Sequence, residues 1–131
     1  EALDRLWAVL GEDEDPIRRI QAMTRLYREI AHENATHYKI MLAHAVPNFA
    51  PAEESLEVGA QAFARLERGV AMAQGANRLD SSSSAEAIAH VLWATCHGMV
   101  SLELAAMVPP GVCAVQQYDR AVAAVLAGYR P

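Results

Sequence analysis

Apolar side chains return every three or four positions along this chain, the spacing that gathers them on one face of a helix, and no stretch alternates apolar with polar as a half-buried strand would. Leu3, Leu6, Trp7 and Leu10 open the pattern and Gly11 is placed as a left-handed cap, so residues 1–10 read as a short amphipathic helix. After the acidic turn Glu12-Asp13-Glu14-Asp15, Asp15-Pro16 pairs an N-cap residue with a proline suited to the first helical position. From there Ile17, Ile20, Met23, Leu26 or Tyr27, Ile30 and Ala31 mark a buried face, while Arg18, Arg19, Arg25 and Arg28 mark a wet one; this helix is expected to fade near Asn34. Tyr38, Met41, Leu42 and Ala45 predict a short third helix ended by Pro47. A loop at Asn48-Phe49-Ala50-Pro51 leads to Glu53 and Glu54, whose charge suits the first turn of a fourth helix with the stripe Leu56, Gly59 or Ala60, Phe63, Leu66, Val70 and Ala73. A last helix from Val115 carries Tyr118, Ala121, Val122, Val125, Leu126 and Tyr129.

The stretch from Ser83 to Val108 organises the rest. Ser83-x-x-Glu86 has the form of a capping box and predicts its start; Pro109-Pro110 predicts its end near Met107. Three stripes can be separated on it. Ile88, Val91, Thr95 and Leu102 form the expected core face, Trp93, His97, Val100 and Leu104 set a large aromatic one turn below an imidazole, and Ala94, Gly98, Ser101 and Ala105 are all small. A mid-helix glycine costs about 1 kcal/mol relative to alanine, so Gly98 points to close approach by another backbone. A helix apolar nearly all round needs cover nearly all round, and in a short chain part of that cover is expected from a second copy.

The whole therefore reads as all-α, with about six helices. Its 131 residues suit one domain with one core. The net charge of −5, with eleven basic residues scattered singly or in pairs, gives no face able to neutralise several phosphates. No signal peptide opens the chain, and the apolar run at 85–108 is interrupted by Glu86, His90, His97 and Glu103, so no membrane is expected. Cys96 and Cys113 are too few for a disulfide framework and suit a reducing compartment, which makes the cytoplasm the expected location.

Catalytic and metal signals are weak. Glu29-x-x-His32 has the carboxylate–histidine spacing of di-iron bundles, but Glu86 to His90 is one residue too wide to be the second pair such a site needs. His90 and His97 lie two turns apart, about 10 Å along the axis, too far to share an ion. No glycine-rich phosphate loop, nucleophile elbow or CxxC pair is present. No metal, cofactor or catalytic residue is expected.

HYKIML at 37–42, AFARLERGV at 62–70, LWATCHGMVSLEL at 92–104 and a closing helix ending in AGY at 127–129 together resemble the C-terminal domain of tetracycline-repressor (TetR) family regulators. The resemblance spans nearly all of the chain from about Pro16, and its sharpest motif, Trp93-x-x-x-His97-Gly98 followed by Ser101-Leu102-Glu103, is similar to that of a subgroup named for those three residues. Where members of that subgroup often carry a proline before the tyrosine segment, this chain has Asn34-Ala35-Thr36.

The resemblance implies that residues 1–131 are an effector-binding and dimerisation domain, with the family's N-terminal helix-turn-helix missing from the chain, so that DNA would be met only through that absent part. It further implies a homodimer whose last two long helices pair with their copies in a four-helix bundle through Ala94, Gly98, Ser101, Ala105, Tyr118, Val122, Val125, Leu126 and Tyr129. A pocket for a small hydrophobic effector would be walled by Trp7, Met23, Tyr27, Met41, Phe63, Leu66, Trp93 and His97, and the parent would be a repressor released from DNA when that ligand binds. Each residue also has a plainer reading: the methionines and aromatics as core filling, His97 as a satisfied core histidine, Gly98 as relief of crowding within one subunit. Two further readings stand beside the regulator: a small helical metal carrier or enzyme using Glu29 and His32, and a helical dimerisation module without a pocket. Metal analysis of the purified protein separates the first of these, which requires stoichiometric iron or zinc where a regulator domain is expected to carry none.

Overall fold

Asp15 caps the first helix of the structure, its carboxylate accepting from the Ile17 N–H at 3.0 Å while Pro16 fills a position whose N–H would have had no helical partner. The computed structural model describes residues 15–42 and 53–131, with side chains over 15–40 and 59–131. Five helices are described: α1 (Pro16–Glu33), α2 (Ala35–Leu42), α3 (Glu53–Gly75), α4 (Ala85–Leu104) and α5 (Ala114–Gly128), and the described residues contain no strand. The helix expected at residues 1–10, with Trp7, lies outside the described residues, as do Ala45 and Pro47.

Asn34 makes the bend between α1 and α2. Its backbone N–H and its side-chain amide both donate to the Ile30 carbonyl, at 3.0 and 2.9 Å, and its own carbonyl accepts from the Tyr38 N–H at 2.9 Å. An asparagine bonded in this way closes one helix and opens the next without proline.

α4 packs against α3, α1 and α5, and α1 packs against α3 and α5 as well, so the core is the volume these four helices share. Ile20 of α1, Val70 and Ala73 of α3, Ile88, Leu92, Cys96 and Val100 of α4, and Tyr118, Val122 and Leu126 of α5 fill it, together with Leu79 from the turn between α3 and α4. That turn is fixed by Gln74, whose amide donates to the carbonyls of Asp80 and Ser83, and by the Asp80 N–H, which donates to the Tyr129 carbonyl at 2.7 Å. The C-terminal end of α5 is thereby held beside the start of α4.

Three expectations for α4 change. Its cap is Ser84, accepting from the Ala87 N–H at 3.1 Å, rather than Ser83 paired with Glu86. It ends at Leu104, three residues before the expected stop, because Ala106 turns left-handed at φ 55° and lets the Met107 N–H reach the Leu102 carbonyl at 2.9 Å. The prolines follow the stop and do not make it. The core face also differs: the buried line is Ile88, Leu92, Cys96 and Val100, while Val91 and Leu102, expected inside, are 36% and 47% exposed in the single subunit.

Two substitutions follow from this packing. In urea unfolding Leu92→Ala should lower stability by about 2–5 kcal/mol through cavity formation. Ala106→Gly should raise it by about 0.5–1 kcal/mol, because glycine removes the Cβ clash of the left-handed turn and gives back part of that gain in chain entropy.

Candidate ligand-binding site

α1 presents Tyr27 and Arg28 on neighbouring faces, and both are taken up by α4 and its neighbours. Arg28 makes a two-pronged bond to Glu103, Nη2 to Oε1 at 2.8 Å with Nε at 3.0 and 3.1 Å from the two carboxylate oxygens, and Glu103 has only 5% of its side chain exposed. That bond raises the Arg28 pKa above its ordinary value. His32, one turn on, sets Nε2 3.3 Å from the other Glu103 oxygen. Beneath them the Arg28 guanidinium lies 5.9 Å from the centre of the Tyr118 ring, and the Tyr118 hydroxyl donates to the Thr24 carbonyl. Burial pushes the Tyr118 pKa up, with the nearby Cys96 adding to the effect, and burial pushes the Cys96 thiol up in turn.

On the other side of α1, Tyr27 and Tyr38 meet hydroxyl to hydroxyl at 2.8 Å, with their rings edge to face at 6.1 Å. The Tyr38 oxygen lies 2.6 Å from His97 Nδ1. Burial holds both phenols above the ordinary tyrosine range. Trp93 stands one turn before His97 on α4, its ring centre 6.4 Å from the imidazole, 6.2 Å from Phe63 of α3 and 6.3 Å from His90. The indole is 38% exposed and His97 is half-buried. The result is an aromatic shelf on α3 and α4, open on one side and backed by a chain of hydroxyls that runs through α2 to α1. Such a shelf offers apolar area with one polar group at its edge, the composition of a small-molecule site.

Five of the eight residues expected to wall a pocket fall on or beside this shelf. Tyr27, Phe63, Trp93 and His97 are linked as above, and Leu66 packs with Phe63 against the core. Met23 is at the seam of α1 and α3, its Sδ 3.4 Å from where a Cβ on Gly69 would stand. The Met41 side chain and Trp7 lie outside the described residues. Tyr38 and His90 belong to the same cluster without having been expected there. Tyr38 could have been found from its place in the HYKIML segment, one turn beyond the bend; nothing in the sequence marks His90.

Of the residues expected between subunits, Ala94, Gly98 and Ala105 are exposed and Ser101 is half-buried. Tyr118, Val122 and Leu126 are 1%, 3% and 5% exposed within a single subunit, and Val125 and Tyr129 pack against the same core. The helix is short enough, and its cover on one side complete enough, that its largest side chains are used inside. Glu29 is exposed and His32 is engaged by Glu103, and no three His, Cys, Asp or Glu side chains converge among the described residues. Two shallow hollows open elsewhere, one of about 300 Å³ beside Gln61, Ala64, Arg65 and Arg68 and one of about 100 Å³ near Met99, Leu102 and Met107. No described helix is long and apolar enough to cross a membrane.

A family model described as tetracyclin repressor-like, C-terminal domain, matches residues 20–129. No curated protein and no solved structure matches the chain.

Removing the Glu103 carboxylate strands a half-buried guanidinium, so Glu103→Ala should cost about 2–3 kcal/mol in chemical unfolding. The raised phenol pKa values of Tyr27, Tyr38 and Tyr118 act at the other end of the pH scale. The unfolded chain ionises these groups near the ordinary value of about 10 while the native state keeps them protonated, so their contribution is complete below about pH 10 and is lost as pH rises past it. Tyr27→Phe and Tyr118→Phe should each leave the native tyrosinate absorbance titration unchanged.

Proposed function

Because the chain belongs to the tetracyclin repressor-like family and carries its C-terminal domain, we propose that residues 1–131 are the effector-sensing and dimerisation domain of a transcriptional regulator, a repressor that leaves DNA when a small apolar ligand binds. In this reading DNA is contacted by a helix-turn-helix that precedes the domain, the protein works as a homodimer in the cytoplasm, and the domain itself performs no catalysis. The observation that carries the ligand site is the half-exposed Trp93–His97 pair, flanked by Phe63 and tied through Tyr38 to Tyr27. A solvent-facing indole next to an oriented imidazole has more use for a ligand than for the core, since core positions on the same helix are wholly buried. The walls proposed are Met23, Tyr27, Phe63, Leu66, Trp93 and His97, with Trp7 and Met41 added from the family resemblance.

A second copy is proposed to cover the open line of α4, where Val91, Ala94, Gly98, Leu102 and Ala105 follow one another at helical spacing beside Ser101. Gly98 supports this reading. A Cβ built on it meets nothing within 4 Å among the described residues, so crowding by them does not account for a glycine there. From α5, Val125 and Tyr129 would join at the rim, and the buried Tyr118, Val122 and Leu126 would shape the interface from behind.

Signalling needs a ligand whose affinity differs between two arrangements of α1 relative to α4. Tyr27 and Arg28 couple those helices at adjacent positions, one through the phenol chain and one through Glu103, so a ligand that moves His97 also moves α1.

Two results test the reading. A cognate apolar effector at about 100 times its dissociation constant should stabilise the protein by about 2.7 kcal/mol, and Trp93→Ala should abolish that shift; a shift that survives the substitution places the ligand elsewhere. Gly98→Glu should convert a dimer to a monomer in sedimentation at micromolar concentration, and wild-type protein that is already monomeric there refutes the interface.

A further inference from the structure

The aromatic shelf has a second imidazole at its outer end. His90, Trp93 and His97 follow one another at three- and four-residue spacing on one face of α4, and the Trp93 ring centre lies 6.3 Å from that of His90 and 6.4 Å from that of His97. Two helical turns therefore separate the histidines, about 10 Å along the axis, with the indole between them. His97 is half-buried, Trp93 is 38% exposed and His90 is exposed, so the face opens progressively from one imidazole to the other. Both rings keep hydrogen-bonding capacity. Tyr38 takes Nδ1 of His97 at 2.6 Å, whichever of the two donates, and Nε2 is left over. Among the described residues nothing bonds that Nε2 or either ring nitrogen of His90.

We propose that the site takes an elongated, flat aromatic molecule with a hydroxyl at each end, one meeting His97 and the other His90, and that His90 is the residue that selects for the second hydroxyl. This rests on the ligand site beside Trp93 and His97 proposed above and adds to it the length of the ligand and its far polar end. Trp93 and Phe63 meet edge to face at 6.2 Å and so present both a ring face and a ring edge, the two surfaces against which a further aromatic ring packs. A body laid across the indole takes water away from the imidazole on either side of it. A polar group covered without a partner costs more than a matched one contributes, so the favoured ligand has a group for each ring. A hydroxyl both donates and accepts, and it therefore meets an imidazole in either tautomer. A molecule with one hydroxyl leaves one histidine covered and unmatched, and a molecule whose two hydroxyls lie close together reaches only one of them.

Calorimetry on the 131-residue chain with biphenyl, 4-hydroxybiphenyl, 2,2′-dihydroxybiphenyl and 4,4′-dihydroxybiphenyl compares one apolar body whose hydroxyls are absent, single, close together and far apart. The 4,4′ compound should bind about five- to tenfold tighter than the single hydroxyl and than the 2,2′ isomer. His90→Phe keeps a ring against Trp93 while removing both nitrogens, at an exposed position that the core does not use, and it should erase that advantage. A loss of fold would weaken all four compounds together; the ratio between them moves only if the His90 nitrogens meet the far hydroxyl. Equal binding of the 4,4′ compound and either comparison compound, or an advantage that survives His90→Phe, overturns the second polar end and leaves the site beside Trp93 standing. Binding by none of the four, or binding that Trp93→Ala leaves intact, overturns that site and the two-ended ligand with it.

Discussion

Docking α1 onto α4 takes a guanidinium, a carboxylate and three phenols out of water in one step, and the fold depends on each of them meeting its partner there. Arg28 and Glu103 carry most of the burden, because an ion left alone at that depth costs several times what a neutral group would. Their two-pronged geometry sets the rotation of α1 as well as its position, since a guanidinium and a carboxylate meet in this way only when their planes nearly coincide. Apolar burial by Ile20, Ile88 and Leu92 supplies the driving force, but it would tolerate a sliding helix. The polar matches do not.

That fixed register is what gives the second, uncharged network its meaning. Tyr27 follows directly before Arg28, so locking one against α4 delivers the other to Tyr38, and through it to His97. A single helix–helix contact therefore has a closed, ionic side that favours one arrangement and a half-open, aromatic side that a ligand could reach. On the proposed reading this is how binding energy at the shelf would be felt by α1: the shelf and the ion pair share one lever.

Much of this was legible in the sequence. The 3–4 spacing of apolar residues, Asp15-Pro16 and the absence of alternating stretches determined an all-helical fold and the starts of α1, α4 and α5 to within a residue, because capping and periodicity are local. Trp93 and His97 one turn apart, with Phe63 on another helix, already suggested the aromatic cluster, and their ring distances follow from helical geometry once α3 and α4 are side by side.

What the tertiary structure alone decided was the choice among faces. α4 is apolar on almost every side, so hydrophobicity could not say whether Val91 and Leu102 or Leu92 and Cys96 would turn inward; contact with α1, α3 and α5 chose the second pair. The same holds for Tyr118, Val122 and Leu126, which look like interface from their size and spacing yet are enclosed by their own subunit. Arg28 reads as a solvated charge on an amphipathic helix, and its pairing with Glu103, seventy-five residues on, could not be seen from either segment alone. Nor could the early end of α4, where Ala106 adopts a left-handed turn that local propensity disfavours. Periodicity records which residues share a side of a helix; which side is covered depends on helices distant in sequence, and only their packing settles it.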